Sequence, residues 1–110
     1  MAARHLSALA LGAGLALGGL AALAQPVGDA EKGHAFAREA CTSCHRIEPG
    51  VKWPHGDAPT FQQIADTRGM TGTALTVWFQ TSHPTMPNLI LSAADKADVI
   101  AYILSLRGRP

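Results

Sequence analysis

Two cysteines occur in this chain of 110 residues, and both lie in the run Cys41-Thr42-Ser43-Cys44-His45. The spacing C-x-x-C-H is the attachment pattern for a c-type haem. Thiols three residues apart project from one side of a helical turn, so both can add across the vinyl groups on one porphyrin edge. The next residue, His45, is then placed to reach the iron from one face. A macrocycle held in this way is a large apolar plate at the centre of the fold. The chain without it is expected to be largely unfolded, because a sequence this short buries little core by itself.

Two other readings of the cysteines fare worse. A dithiol redox site belongs near a βαβ pattern, whereas the segment before Cys41 reads as helix and no parallel strand lies near it. A structural zinc site wants four ligands, with a second Cys or His pair at close spacing. The remaining candidates His34, His55 and His83 are scattered and unpaired.

The N-terminal segment predicts export. Arg4 gives a weakly positive start, an apolar run follows from Leu6 to Ala24, and Ala22-Leu23-Ala24 has the small-residue form of a cleavage site. Residues 1–24 are therefore expected to be a signal peptide and residues 25–110 the functional domain, placed in the periplasm. Kept uncleaved, residues 6–24 would be just long enough to anchor the chain in a membrane; cleaved, they leave no stable membrane insertion. Thioether attachment of haem outside the bacterial cytoplasm agrees with export.

Charge excludes one class of partner. Nine Lys and Arg stand against eight Asp and Glu, and the balance is even once Arg4 is removed. Such a domain has no basic patch for nucleic acid and no strong field for steering partners.

The remaining chain reads as helices joined by loops. Asp29 is an expected N-cap and Glu31 sits in the first turn of a helix running to about Ala40. Gly33, Phe36, Ala37, Ala40 and Cys41 fall on one stripe, with His34 on the polar side. A glycine inside a helix is costly, so Gly33 is expected to admit a second helix at close range. Glu48 to Pro59 is a loop carrying Lys52, Trp53 and His55. A short helix is expected over Thr60 to Asp66, with Phe61 and Ile64 facing inward. A loop from Arg68 to Gly72 precedes a helix starting at Thr73 with Leu75, Val77, Trp78 and Phe79. The loop from His83 to Asn88 follows. Ser92-Ala93-Ala94-Asp95 resembles a capping box, opening a helix whose Val99, Ile100, Ile103 and Leu104 form an apolar stripe. Gly108 is a natural stop. No strand pattern appears, so the fold class is all-α.

What faces the iron opposite His45 decides the chemistry. Thioether sulfur opposite histidine is the ligand set of an electron carrier and raises the reduction potential. With Met1 in the signal, Met70 and Met86 are the available sulfurs. Pro84 and Pro87 bracket Met86 and stiffen the loop that must hold a weak ligand, whereas Met70 lies between glycines. Met86 is the expected ligand. His83, His55 and His34 are weaker alternatives.

With these residues in order, the mature region resembles the class I monohaem cytochromes c of small bacterial type. The likeness rests on the helix with Gly33 and Phe36, the Cys41–His45 motif, Pro59, Met86-Pro87 and a final helix with Tyr102. It implies helices wrapped around one covalently attached haem c, with His45 and Met86 as axial ligands. It also implies that the Pro59 carbonyl accepts the His45 ring N–H, and that Gly33 and Tyr102 meet where the first and last helices cross. Trp53, Trp78 and Arg68 are open candidates for the propionates. The lysine ring of mitochondrial relatives is missing, Lys32, Lys52 and Lys96 being the lysines present.

The expected function is single-electron transfer with redox partner proteins, a dehydrogenase, reductase or oxidase, and no enzymatic activity. The alternatives are an open sixth site, serving as a peroxidase or gas-binding module, and a dedicated electron-accepting subunit of a periplasmic dehydrogenase.

Overall fold

A computed structural model describes residues 27–52, 58–81 and 84–109, and within them the chain is all-α, with four helices and no strand. The expectations for residues 1–24 and for Trp53, His55 and His83 fall outside the described residues.

Helix α1 (Ala30–Ala40) begins where the sequence supplies a cap. The Asp29 carboxylate accepts from the N–H groups of Glu31 and Lys32 at 2.9 and 3.2 Å, satisfying donors that the first turn leaves open. The last helix, α4 (Ala93–Ser105), starts at Ser92, whose hydroxyl accepts from Asp95 N–H at 3.1 Å and donates to the Asp95 carboxylate at 2.6 Å. Gly108, at φ +65°, takes the left-handed turn that ends the chain's last helical stretch.

The two helices cross backbone to backbone. A Cβ placed on Gly33 would overlap the carbonyl of Asp98 and stand 2.9 Å from Val99 N. Gly28 meets the Ala97 carbonyl in the same way, and Asp29 N–H donates to the Asp98 carboxylate at 2.7 Å. The group directly opposite Gly33 is thus main chain. Tyr102 lies one turn further along α4, where its ring packs against His34 at a tilt of 38° with centroids 4.8 Å apart. Around the crossing, Ala37, Val99, Ile103 and Leu106 form the core with Phe61, Ala65 and Leu75.

Two short helices complete the shell. In α2 (Phe61–Asp66), Thr60 and Gln63 form a reciprocal capping box, each side chain accepting from the other's backbone N–H. Phe61 and Ala65 are buried while Ile64 is half-buried, so the inward stripe is centred on Phe61 and Ala65. Helix α3 (Gly72–Gln80) starts one residue before the expected Thr73. Thr71 is the cap, its hydroxyl accepting from Ala74 N–H at 3.1 Å. Of its apolar residues only Leu75 is buried; Val77 and Trp78 are 53 % and 54 % exposed. The chain end straps α2: Arg107 donates to the carbonyls of Ala65 and Met70 at 3.0 and 2.6 Å, and Gly108 N–H donates to the Asp66 carboxylate at 2.8 Å. No described helix is long and apolar enough to cross a membrane.

One side chain departs from its expected place. Helical spacing puts His34 beside the polar residues of α1, but the segment after Cys44 folds back over it. His34 Nε2 lies 2.7 Å from the Glu48 carboxylate and its ring covers Tyr102. The cause is tertiary and leaves no trace in the helix pattern.

Candidate functional site

The run Cys41–His45 folds as a turn continuing from α1. Cys41 N–H still bonds Ala37 O at 2.9 Å, and then Cys44 and His45 N–H groups both turn back to Cys41 O, at 3.2 and 2.9 Å. Thr42 Oγ donates to Arg38 O at 2.8 Å and closes the helix end. The cysteines differ in environment: Cys41 is buried and Cys44 exposed. Burial pushes the Cys41 thiol up to about 11, so in this fold it is a neutral thiol at pH 7.

His45 is buried, and its ring is fixed from behind. Nδ1 lies 2.7 Å from the Pro59 carbonyl. A carbonyl can only accept, so Nδ1 carries the proton and donates. In the neutral ring the lone pair is then on Nε2, the form a metal requires. Phe61 packs against the imidazole with centroids 5.5 Å apart, and Phe61 N–H bonds Arg46 O at 3.0 Å. The proximal side is therefore supported by α2, a role that an inward-facing Phe61 in the sequence did not reveal.

Tyr102 adds a second brace. Its hydroxyl donates to Ile47 O at 2.9 Å in a buried bond, and its ring stands 6.2 Å from that of Phe61. Burial and the nearby Glu48 carboxylate raise its ionisation above the ordinary phenol range, with Arg109 acting in the opposite sense. The sequence signals nothing of the Ile47 carbonyl or of Glu48, since both contacts join segments far apart in the chain.

Met86 belongs to the loop after α3. It is half-buried and borders a cavity of about 170 Å³ whose other walls include Trp78, Phe79, Pro87 and Leu89. Met70 differs: it packs against the core cluster, with its carbonyl held by Arg107. Arg68 is exposed on the loop before Met70, and Trp78 is half exposed at the rim of the cavity. The structure thus brings Cys41, Cys44, His45 and Pro59 together, places Gly33 and Tyr102 along the α1–α4 crossing, and puts Met86 beside the end of α3.

These residues suit a covalently bound haem. Two thiols sit on one turn, and the adjoining imidazole presents a free nitrogen. Apolar side chains stand in solvent nearby in sequence to Met86, among them Ile90 at 103 % exposure and Leu89 at 37 %. Among the described residues no group of three His, Cys, Asp or Glu is placed to hold a bare metal ion.

The chain is 33 % identical to cytochrome c-552 of Bradyrhizobium diazoefficiens over 103 residues, which cover 94 % of this chain and 96 % of the relative. No protein-family model and no solved structure matches it.

Proposed function

We propose that this chain, which belongs to the cytochrome c family, is a periplasmic carrier of single electrons of the class I, monohaem type. Cys41 and Cys44 bind one haem c through thioethers, and His45 and Met86 are its axial ligands. The observation that carries this reading is the His45–Pro59 bond, because it engages Nδ1 as the donor and leaves Nε2 as the unprotonated nitrogen of the neutral imidazole.

When bound, the haem supplies a one-electron couple at iron. The protein's own residues do the rest. Pro59 holds the imidazole in one tautomer and Phe61 keeps it from tilting. Pro87, next to Met86, stiffens the loop that presents the thioether. Thioether sulfur is a soft, neutral donor, so it favours the less charged oxidation state and raises the potential. Filling both axial positions leaves no place for a substrate or gas. The partners are redox proteins: a dehydrogenase or reductase that supplies the electron and an oxidase or reductase that takes it. Residues 1–24 serve as the export signal, in keeping with the apolar run and the A-x-A site.

The test compares the purified holoprotein with Met86→Ala and Met70→Ala. The wild type should show a sulfur-to-iron charge-transfer band when oxidised and should not bind carbon monoxide when reduced. Met86→Ala should lose the band, bind carbon monoxide and fall markedly in potential, while Met70→Ala should keep all three properties. Carbon monoxide binding by the unaltered reduced protein would replace the carrier with a gas-binding or peroxidase-like haem. Loss of the band in Met70→Ala alone would move the ligand to that residue.

A further inference from the structure

Behind His45 a line of rings leads to the surface. His45 packs on Phe61 at 5.5 Å, Phe61 on Tyr102 at 6.2 Å, and Tyr102 on His34 at 4.8 Å. At the outer end the His34 side chain is 34 % exposed and its Nε2 lies 2.7 Å from the Glu48 carboxylate. Electron transfer as described above uses none of His34 or Glu48.

We propose that His34 is a proton-binding residue coupled to the iron: the electron is held more tightly when His34 is protonated, and Glu48 fixes the imidazole so that only its charge changes. This rests on the carrier reading given above. A carboxylate accepts, so Nε2–H donates to Glu48 whether the ring is neutral or charged. The proton that comes and goes is therefore the one on Nδ1, and the Nε2–Glu48 bond survives its loss. Deprotonation moves a unit of charge without breaking the contact that ties α1 to the segment after His45.

The surroundings make that charge felt. The charged and titratable groups facing His34 are Glu48 from the segment after the haem motif and Tyr102 from α4, with Arg109 acting on Tyr102 from the chain end. Asp98, the acidic residue of α4 above the neighbouring Gly33, is engaged by the N–H of Asp29. Along α1 the charges are Glu31, Lys32, Arg38 and Glu39, with Lys32 paired to Asp29 at 3.9 Å. The rings of Tyr102 and Phe61 link His34 to His45 through the protein, a path of lower dielectric that screens less than water. Imidazole is the side chain whose charge ordinarily changes between pH 5 and 8. In the coupled step a partner protein gives one electron, ferric iron becomes ferrous, and solvent gives one proton to His34. The reverse releases both. Reduction is expected to raise the proton affinity of His34 on the order of two- to five-fold, the size of one unit charge acting through partly screened protein.

The experiment is a redox titration of the holoprotein from pH 5 to 9, with ring-proton resonances of His34 followed in the ferric and ferrous forms. The wild-type potential should fall as pH rises through the histidine range, and the His34 titration should sit at higher pH in the ferrous protein. His34→Gln keeps a donor for Glu48 but no charge, so its potential should lie flat near the high-pH wild-type value. His34→Lys should lie flat near the low-pH value. A purely structural role would shift both variants the same way, and would overturn the proposal. So would a wild-type slope that persists in His34→Gln but vanishes in His55→Gln or His83→Gln. A holoprotein without a reversible one-electron couple would instead overturn the carrier reading beneath it, and a reversible couple with identical His34 titrations in both oxidation states would overturn the coupling alone.

Discussion

Replacing Gly33 by alanine sets two calculable effects against each other. In an exposed helix interior the change stabilises by about 0.8–1.0 kcal/mol, because glycine has more backbone freedom to lose. Here the new methyl would overlap the Asp98 carbonyl and approach Val99 N to 2.9 Å. Both obstacles are main chain of α4 and cannot rotate aside as a side chain could. The helices must separate until the carbonyl is back at contact distance, loosening Ala37 against Val99 and Ile103. Overpacking of this kind typically destabilises by about 1–3 kcal/mol, and a backbone obstacle puts this site at the upper end. Net of helix propensity, about 2 kcal/mol of stability should be lost, or about 8–16 °C in melting temperature for a domain of this size. Gly72→Ala is the matched control. Its Cβ would meet Ile100 and Leu104 side-chain carbons at 3.6 and 3.8 Å, which is ordinary contact, so that variant should be unchanged or slightly more stable. Thermal unfolding of the two holoproteins followed by circular dichroism decides the matter. Equal melting temperatures for Gly33→Ala and Gly72→Ala would show that the helices do not touch at Gly33.

Three further outcomes follow from named contacts. Cys44→Ala and Cys41→Ala should each leave at most one thioether and sharply reduce holoprotein yield; wild-type haem staining of both on a denaturing gel would refute the attachment site. Tyr102→Phe leaves the buried Ile47 carbonyl without its donor and should lower stability by about 1–3 kcal/mol at pH 7. Because the folded Tyr102 ionises above its ordinary value, its contribution is complete below the unfolded phenol's pKa of about 10 and is lost as pH rises through the folded value. The gap between wild type and Tyr102→Phe should therefore narrow above about pH 10 in denaturant titrations, and a constant gap would count against it. Arg107→Ala should cost about 1–2 kcal/mol by freeing the Ala65 and Met70 carbonyls. Arg107→Lys should not restore it, since one ammonium cannot span the two acceptors as a guanidinium fork does; full rescue by lysine, read from the same melts, would show that charge alone matters.

What the sequence discloses and what it hides divide along the distance between interacting residues. Asp29 and Ser92 identify the starts of α1 and α4 because a cap acts within three residues of itself, and both serve that purpose in the fold. The stripe Val99, Ile100, Ile103 and Leu104 is legible for the same reason: helical period is a local property, and the first three are buried while Leu104 packs half-buried against the core. The start of α3 lies one residue before Thr73 because the hydroxyl of Thr71 reaches Ala74 N–H and the helix takes in Gly72, although glycine is a poor helix former.

The braces behind His45 were illegible because each joins residues far apart: Tyr102 to Ile47, Arg107 to Ala65, His34 to Glu48. No periodicity encodes such pairs. Two of them, Tyr102 to Ile47 and His34 to Glu48, share one geometry: each fastens a helix to the irregular chain that follows the haem motif, while Arg107 straps the chain end to α2. A helix gets its rigidity from its own hydrogen bonds. A loop that must hold an imidazole at a fixed angle has to borrow rigidity, and here it does so from α1, α2 and α4 at once. Around the Pro59 carbonyl that directs His45, Arg46 O is held by the first N–H of α2 and Ile47 O by the phenol of α4. The local motif thus states which residues carry the chemistry, and the long-range contacts state how firmly they are held.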